Sequence, residues 1–262
     1  MMRIKMNDFN IGPSLDLFQE IELLKKEHNA VIFAHYYQDA DIQDVADLIG
    51  DSLQLAQEAK HTKAEQIVLC GVHFMAETAK MLSPNKKVLL PDLNAGCSLA
   101  DSCPRDAFKA FRDAHPNHTV VTYVNSSADV KALTDICVTS TNAEKVIRSI
   151  PADKPIIFAP DKNLGKYLIK KTGRDMLLWN GSCMVHEIFS EKELMRLKAQ
   201  YPSAQIIAHP ECEEHILNHA DFVGSTSALL NFVKTDQANE YIVLTEEGII
   251  HQMKKTKKKK KF

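Results

Sequence analysis

The sequence predicts an α/β fold: three pseudo-symmetric three-layer αβα sandwich domains with short parallel sheets, the third incomplete. Three observations carry that expectation. Apolar, strand-like runs alternate with helical stretches along the whole chain, the pattern of parallel α/β layers. One arrangement also recurs three times, an apolar strand running into a polar cluster and then a small-residue helix start. Ile32–Tyr37 leads to Gly50-Asp51-Ser52, Val120–Asn125 to Thr139-Ser140, and Ile206–Glu211 to Gly224-Ser225-Thr226. With His35, Asn125 and His209 taken as equivalent, the separations to Ser52, Ser140 and Ser225 are 17, 15 and 16 residues. Finally, a cysteine follows in a short polar loop after the first two units, Cys97 and Cys183, 45 and 43 residues beyond Ser52 and Ser140. A period of roughly 85 residues is too long for a solenoid repeat of about 20 to 50 and suits a small sandwich.

The elements follow in order. Leu15 to Lys26 has helical periodicity, with apolar positions at 17, 18, 21 and 24. Strands are expected at 30–34, 66–70, 87–90, 119–124, 155–159, 175–179, 204–208 and 240–244. Helices are expected at 42–48, 52–60, 74–82, 104–114, 162–171, 190–200 and 226–233, with a helix opening after Glu246. Runs such as Ile156-Ile157-Phe158 read as buried parallel strands. The repeats divide the chain at 14–100, 101–187 and 188–262, with residues 1–13 as a leader of no assigned function. The interval that separates Cys97 and Cys183 from their helix starts would carry the third cysteine past Phe262. Lys254 to Lys261 breaks register with the preceding pattern and cannot complete a core. Premature termination is the expectation, a disordered basic tail its alternative.

Composition narrows the function classes. The 262 residues are 45% apolar and 25% charged, with a net charge of −2. That balance gives no reason to expect nucleic acid or an anionic membrane as partner. The N-terminus has no secretory pattern, and no apolar run approaches the roughly 18 residues a membrane span needs. A cytoplasmic location is expected. Six cysteines, at 70, 97, 103, 137, 183 and 212, form no CxxC pair, so a disulfide framework is not expected. Cys70 and Cys137 lie in apolar segments and read as core, whereas Cys97, Cys183 and Cys212 lie in polar loops.

Two loop thiols with a third expected suit an iron–sulfur cubane with one open iron, or zinc; ordinary loop cysteines are the alternative. The three helix starts offer N–H groups and a dipole end to an anion, though Ser and Thr also serve as plain N-caps. None of these clusters contains Lys or Arg, so an acidic substrate would be held by hydroxyls, amides and helix ends. His35, His209, Tyr37, Tyr123 and Glu211 could move protons; a histidine after a strand can equally be structural. His28, His61, His115, His118, His215, His219 and His251 read as surface residues.

Taken together, several stretches closely resemble quinolinate synthase, an iron–sulfur enzyme family of de novo NAD biosynthesis. They are His35-Tyr36-Tyr37-Gln38, Gly50 to Ala56, Gly71 to Glu77, Tyr123 to Ser126 and Thr139 to Ala143. Pro160 to Gly165, His209 to Cys212 and Val223 to Thr226 complete the set, which spans about residues 30 to 253. The resemblance implies three αβα sandwiches around a [4Fe–4S] cluster, with an open iron acting as Lewis acid. It implies condensation of iminoaspartate with dihydroxyacetone phosphate to quinolinate, phosphate and water. Cys97 and Cys183 would be cluster ligands, while Cys103 and Cys212 have no assigned role. His35, Ser52, Tyr123, Asn125, Ser140, His209, Glu211 and Thr226 would contact substrate, and Tyr37, His209 and Glu211 would be catalytic. A transient contact with L-aspartate oxidase or dehydrogenase follows from the same resemblance. With two of three thiolates, the chain is expected to be unstable and weakly active. The rival readings are a zinc-dependent aldolase or lyase and a dicarboxylate-binding descendant without catalysis.

Overall fold

The structure, a computed structural model, describes residues 16–257 and 260–262; the expected leader lies outside them. In each repeat a helix, α1 (Leu17–Glu27) in the first, precedes the first strand of the sheet. The first sheet comprises β1 (Ala30–His35), β2 (Leu48–Gly50), β3 (Gln66–Cys70) and β4 (Lys87–Leu89), in the order β2-β1-β3-β4. Its helices are α2 (Ala40–Val45), α3 (Ser52–His61), α4 (His73–Leu82) and α5 (Ser98–Asp101). The second sheet repeats the order as β6-β5-β7-β8, from β5 (Thr119–Tyr123), β6 (Ile136–Val138), β7 (Ile156–Ala159) and β8 (Leu177–Leu178). It carries α6 (Arg105–Asp113), α7 (Ala128–Lys131), α8 (Ala143–Ser149), α9 (Lys162–Thr172) and α10 (Met184–Glu187). The third sheet is β10-β9-β11, from β9 (Gln205–Ala208), β10 (Phe222–Val223) and β11 (Tyr241–Leu244). Around it lie α11 (Glu191–Gln200), α12 (Glu214–Leu217), α13 (Thr226–Thr235) and α14 (Ile249–Thr256). All named strand pairs are parallel.

One polar contact recurs in every repeat. The carboxylates of Asp47, Asp135 and Asp221 accept from the backbone N–H of Ile32, Val120 and Ile206, at 2.7, 2.8 and 2.8 Å. In return the N–H of each aspartate donates to the carbonyl of the same strand residue. Each aspartate stands 15 residues after its partner, so the bracket sets the register of the second strand on the first. It also aligns the repeats by geometry, and the alignment differs from the one read by spacing. Tyr123, not Asn125, is the counterpart of His35 and His209, and Asn125 matches Tyr37 and Glu211. Thr226, not Ser225, matches Ser52 and Ser140. With these equivalences the strand-end to helix-start separation is 17 residues in all three repeats.

The eight expected strands are present, but three short ones were missed. β2, β6 and β10 are two or three residues long, too short to show a period. The helix expected at 42–48 instead ends at Val45, and Leu48 begins β2. Cys137 is exposed and Cys70 half-buried, against the expectation of core. Cys137 is the middle residue of the edge strand β6, and its side chain lies on the outer face. Cys212, read as a polar-loop residue, is fully buried in the core of the third sheet and contacts the Leu244 carbonyl at 3.5 Å.

Apolar packing joins the repeats. One core merges Phe33, Leu55 and Ile67 of the first with Val121, Ile147 and Phe158 of the second. Another packs Tyr36 of the first against Ile207, Leu229 and Tyr241 of the third. Among the described residues the third sheet has no fourth strand. On that edge of β11, Lys261 forms a parallel bridge with Glu240, and Phe262 stacks on Tyr241 with ring centroids 5.7 Å apart. The end of the lysine run therefore packs against the third sheet. No helix among the described residues is long and apolar enough to cross a membrane.

Candidate active site

The C-terminal ends of the first strands of all three sheets face one cavity of about 250 Å³. Parallel strands direct ligands to this edge, because loops and helix N-termini gather there. All eleven residues expected at the site line the cavity: His35, Tyr37, Ser52, Cys97, Tyr123, Asn125, Ser140, Cys183, His209, Glu211 and Thr226. No Lys or Arg is among the lining residues described. An anion there meets hydroxyls, imidazoles and helix starts, and also the carboxylates of Asp51, Glu211 and Glu246.

Glu211 is the electrostatic centre and is only 3% exposed. Its Oε1 accepts from the Tyr123 hydroxyl at 2.7 Å. His209 Nδ1 lies 3.5 Å from Oε1, and His186 Nδ1 lies 3.2 Å from Oε2. Burial alone would push this carboxyl up. The neighbouring His186 and His209 rings and the hydrogen bond from the Tyr123 hydroxyl outweigh it and hold Glu211 below the usual range, as a carboxylate. Burial, against the pull of Glu211, lowers His209 to about 4, so its ring is neutral near pH 7. His35 is likewise lowered to about 4 by burial. His35 Nδ1 accepts from the Tyr37 N–H at 3.2 Å, and His209 Nδ1 accepts from the Glu211 N–H at 3.4 Å, the same turn in two repeats.

A polar chain crosses the cavity floor. The Tyr37 hydroxyl lies 2.9 Å from Thr226 Oγ1 and 2.7 Å from Thr245 Oγ1. Thr245 Oγ1 lies 3.0 Å from His186 Nε2, whose other nitrogen faces Glu211. That nitrogen, Nδ1, is buried and has no hydrogen-bond partner, although Glu211 Oε2 lies 3.2 Å away. Burial raises the phenols of Tyr37 and Tyr123, which keeps both protonated. On the far side, Ser140 Oγ lies 3.3 Å from His209 Nε2.

Cys97 and Cys183 sit at the N-caps of α5 and α10, the matching short helices of the first two repeats. Both thiols are free. Burial pushes Cys97 up to about 11, and burial with Glu211 nearby pushes Cys183 up further. Two thiols, Cys183 buried and Cys97 half-buried, held neutral by a carboxylate and a low dielectric, become ligands when a cation supplies the missing charge. Cys183, His186 and Glu211 also present ligand atoms within 4.8 Å of one another. Among the described residues the third repeat sends no cysteine into the cavity. The donor set fits a thiolate-bound metal group on the side of the first two repeats.

Sequence reasoning missed His186 and Thr245. His186 lies three residues after Cys183, a spacing that puts both on one face of a helical turn, and that was the available signal. Thr245, just past β11, gave none. Cys103 and Cys212 are buried away from the cavity lining. None of the seven histidines read as surface is buried.

Comparison with known proteins bears on this geometry. The family described as "Quinolinate synthetase A protein" matches residues 19–262. Quinolinate synthase of Nostoc sp. (strain PCC 7120) is 62% identical over 251 residues, covering 96% of this chain and 78% of the relative. That of Chloroherpeton thalassium is 62% identical over 248 residues, covering 95% of this chain and 77% of the relative. That of Trichodesmium erythraeum is 60% identical over 260 residues, covering 99% and 80%.

Proposed function

The chain belongs to the quinolinate synthetase A family, enzymes of NAD biosynthesis, and on that premise we propose that its central cavity condenses iminoaspartate with dihydroxyacetone phosphate to quinolinate. The observation that carries the reading is the buried Glu211, bonded to Tyr123 and flanked by His186 and His209, in a cavity with no lysine or arginine among its described lining residues. Ring closure to quinolinate requires a carbon–carbon bond, an imine and the loss of phosphate and water. Each of those steps moves a proton.

Ser52, Ser140 and Thr226, at equivalent places before or at the starts of α3, α8 and α13, would hold carboxylate and phosphate oxygens. His35 and Asn125 would orient the substrate from two repeats at once. Glu211, a carboxylate, would accept a proton, and Tyr123 would follow it as donor through their 2.7 Å bond. Tyr37, protonated and fixed between Thr226 and Thr245, would return a proton to a leaving hydroxyl. Neutral His209 would donate from one nitrogen and accept at the other. The buried walls would exclude water, which strengthens each of these contacts.

Cys97 and Cys183 would hold a [4Fe–4S] group, whose open iron supplies Lewis-acid stabilisation of charge. The small-molecule substrates, a cytoplasmic location and a transient contact with L-aspartate oxidase or dehydrogenase, which release the unstable imine, belong to this proposal.

The test is anaerobic purification with iron and sulfide, followed by assay of quinolinate from the two substrates. Partial iron retention and slow quinolinate formation are expected, since two of the three expected thiolates are present among the described residues. Zinc without iron in active protein would favour the zinc lyase. Tight dicarboxylate binding by iron-loaded protein without product would favour the binding descendant.

A further inference from the structure

We propose that Asp51 is a positioning residue that clasps the three repeats together at the wall of the cavity. It stands as N-cap of α3, where its Oδ1 accepts from the Gln54 N–H at 2.9 Å. Its other oxygen is spent outside its own repeat. Oδ2 accepts from the Ser227 hydroxyl of the third repeat at 2.6 Å and from the Thr141 hydroxyl of the second at 3.1 Å. Thr141 Oγ1 also lies 3.0 Å from Ser225 Oγ, which caps α13. The repeat symmetry gives this arrangement its meaning. Asp51 and Ser225 occupy the same position in their repeats, and Thr141 and Ser227 stand two residues past it in theirs. A hydroxyl from one repeat thus reaches the cap of another.

Within this ring Asp51 is the only charged group, and it is 6% exposed. Thr141 has one hydroxyl proton, and the carboxylate is the stronger acceptor. Asp51 therefore commits the protons of Thr141 and Ser227 to the clasp, so the hydroxyls left to face a ligand are those of Ser52, Ser140 and Thr226, the last two already paired with His209 and Tyr37. Bonds with a charged acceptor in a buried place are also the ones most costly to break. The consequence is a fixed spacing between the starts of α3 and α13 and the loop before α8, set by one side chain.

The test is hydrogen exchange of the substrate-free full chain, alongside steady-state kinetics. In Asp51→Ala, exchange is expected to quicken about tenfold in three segments together, 52–55, 139–143 and 226–229, while β1, β5 and β9 stay protected. In Asp51→Asn, which still caps α3, only the second and third segments should quicken. Under the proposed reaction KM should rise about tenfold with kcat within about twofold, because substrate positioning is loosened and not proton transfer. Quickening confined to 52–55 in Asp51→Ala would reduce the residue to a local cap and overturn the clasp. Should that variant fail to fold, Thr141→Val with Ser227→Ala leaves the cap intact. That double variant must quicken 139–143 and 226–229, and wild-type exchange there would also overturn the proposal. The kinetic arm rests on the proposed function and the exchange arm does not, so an inactive chain with the three-segment pattern keeps the clasp and rejects the activity.

Discussion

At the scale of single residues, Glu211 organises the site through contacts that no local sequence pattern could show. Its carboxylate meets Tyr123 from 88 residues away and His186 from 25. Glu211→Gln keeps the volume and removes the charge. It is expected to lower kcat by about 10²- to 10⁴-fold with the fold retained, as measured by turnover beside near-ultraviolet circular dichroism. Cys97→Ser is expected to lose most of the bound iron after reconstitution, read as absorbance near ~400 nm, since a hydroxyl is a poor soft-metal ligand. His35 gives a stability prediction. Its folded pKa of about 4 lies below the unfolded value near 6.5. Between those values the unfolded chain binds more protons, so the stability is complete above pH ~6.5 and is lost as pH falls through ~4. The loss is on the order of 3 kcal/mol for this one ring. Urea midpoints for His35→Asn should fall less steeply than wild type over that window; parallel curves would refute the assignment.

Secondary-structure elements divide into those legible along the chain and those set by pairing. Long helices were legible as helical stretches between strands, and the structure shows their ends fixed by local caps. Asp161 accepts from the Leu164 N–H at 2.7 Å to start α9, and Gly173, with φ of 70°, ends it. The central strands were visible as apolar runs because both faces are covered. β2, β6 and β10 were not, since two or three residues carry no period and their stability comes from register on β1, β5 and β9. Asp47, Asp135 and Asp221 hold that register, and each is recognisable only as a fifteen-residue interval. Asp135→Ala leaves the Val120 N–H without its side-chain acceptor. A loss of about 1 to 3 kcal/mol is expected in denaturant unfolding, and Asp135→Asn should recover part of it.

Across the whole molecule, the first and third repeats meet where Gly248 lies against the loop after β1. A Cβ at Gly248 would come within 2.6 Å of the Tyr37 carbonyl. Gln43, buried at the same junction, donates to the Gly248 carbonyl at 2.9 Å. Gly248→Ala must therefore separate the two repeats or shift Tyr37 from Thr226 and Thr245. The expected outcome is a loss of about 1 to 3 kcal/mol of stability together with lowered kcat, and the two should fall together. Wild-type kcat in a destabilised Gly248→Ala protein would show that Tyr37 keeps its place without this contact.

The sequence by itself determined the α/β class and the recurrence of strand, polar cluster and helix start, and it picked out residues that line one cavity. Apolar runs, caps and polar strand ends are local, so they survive in one dimension, and every residue expected at the cavity lines it. Tertiary structure decided which positions are equivalent, because Tyr123 rather than Asn125 stands where His35 and His209 do, and backbone pairing measures that where counting residues does not. It also decided the partners of each site residue. His186, Thr245 and the hydroxyls around Asp51 gain their roles from distances across repeats. Such contacts join groups far apart in the chain, and only the packing of three sheets around one cavity brings them within hydrogen-bonding range.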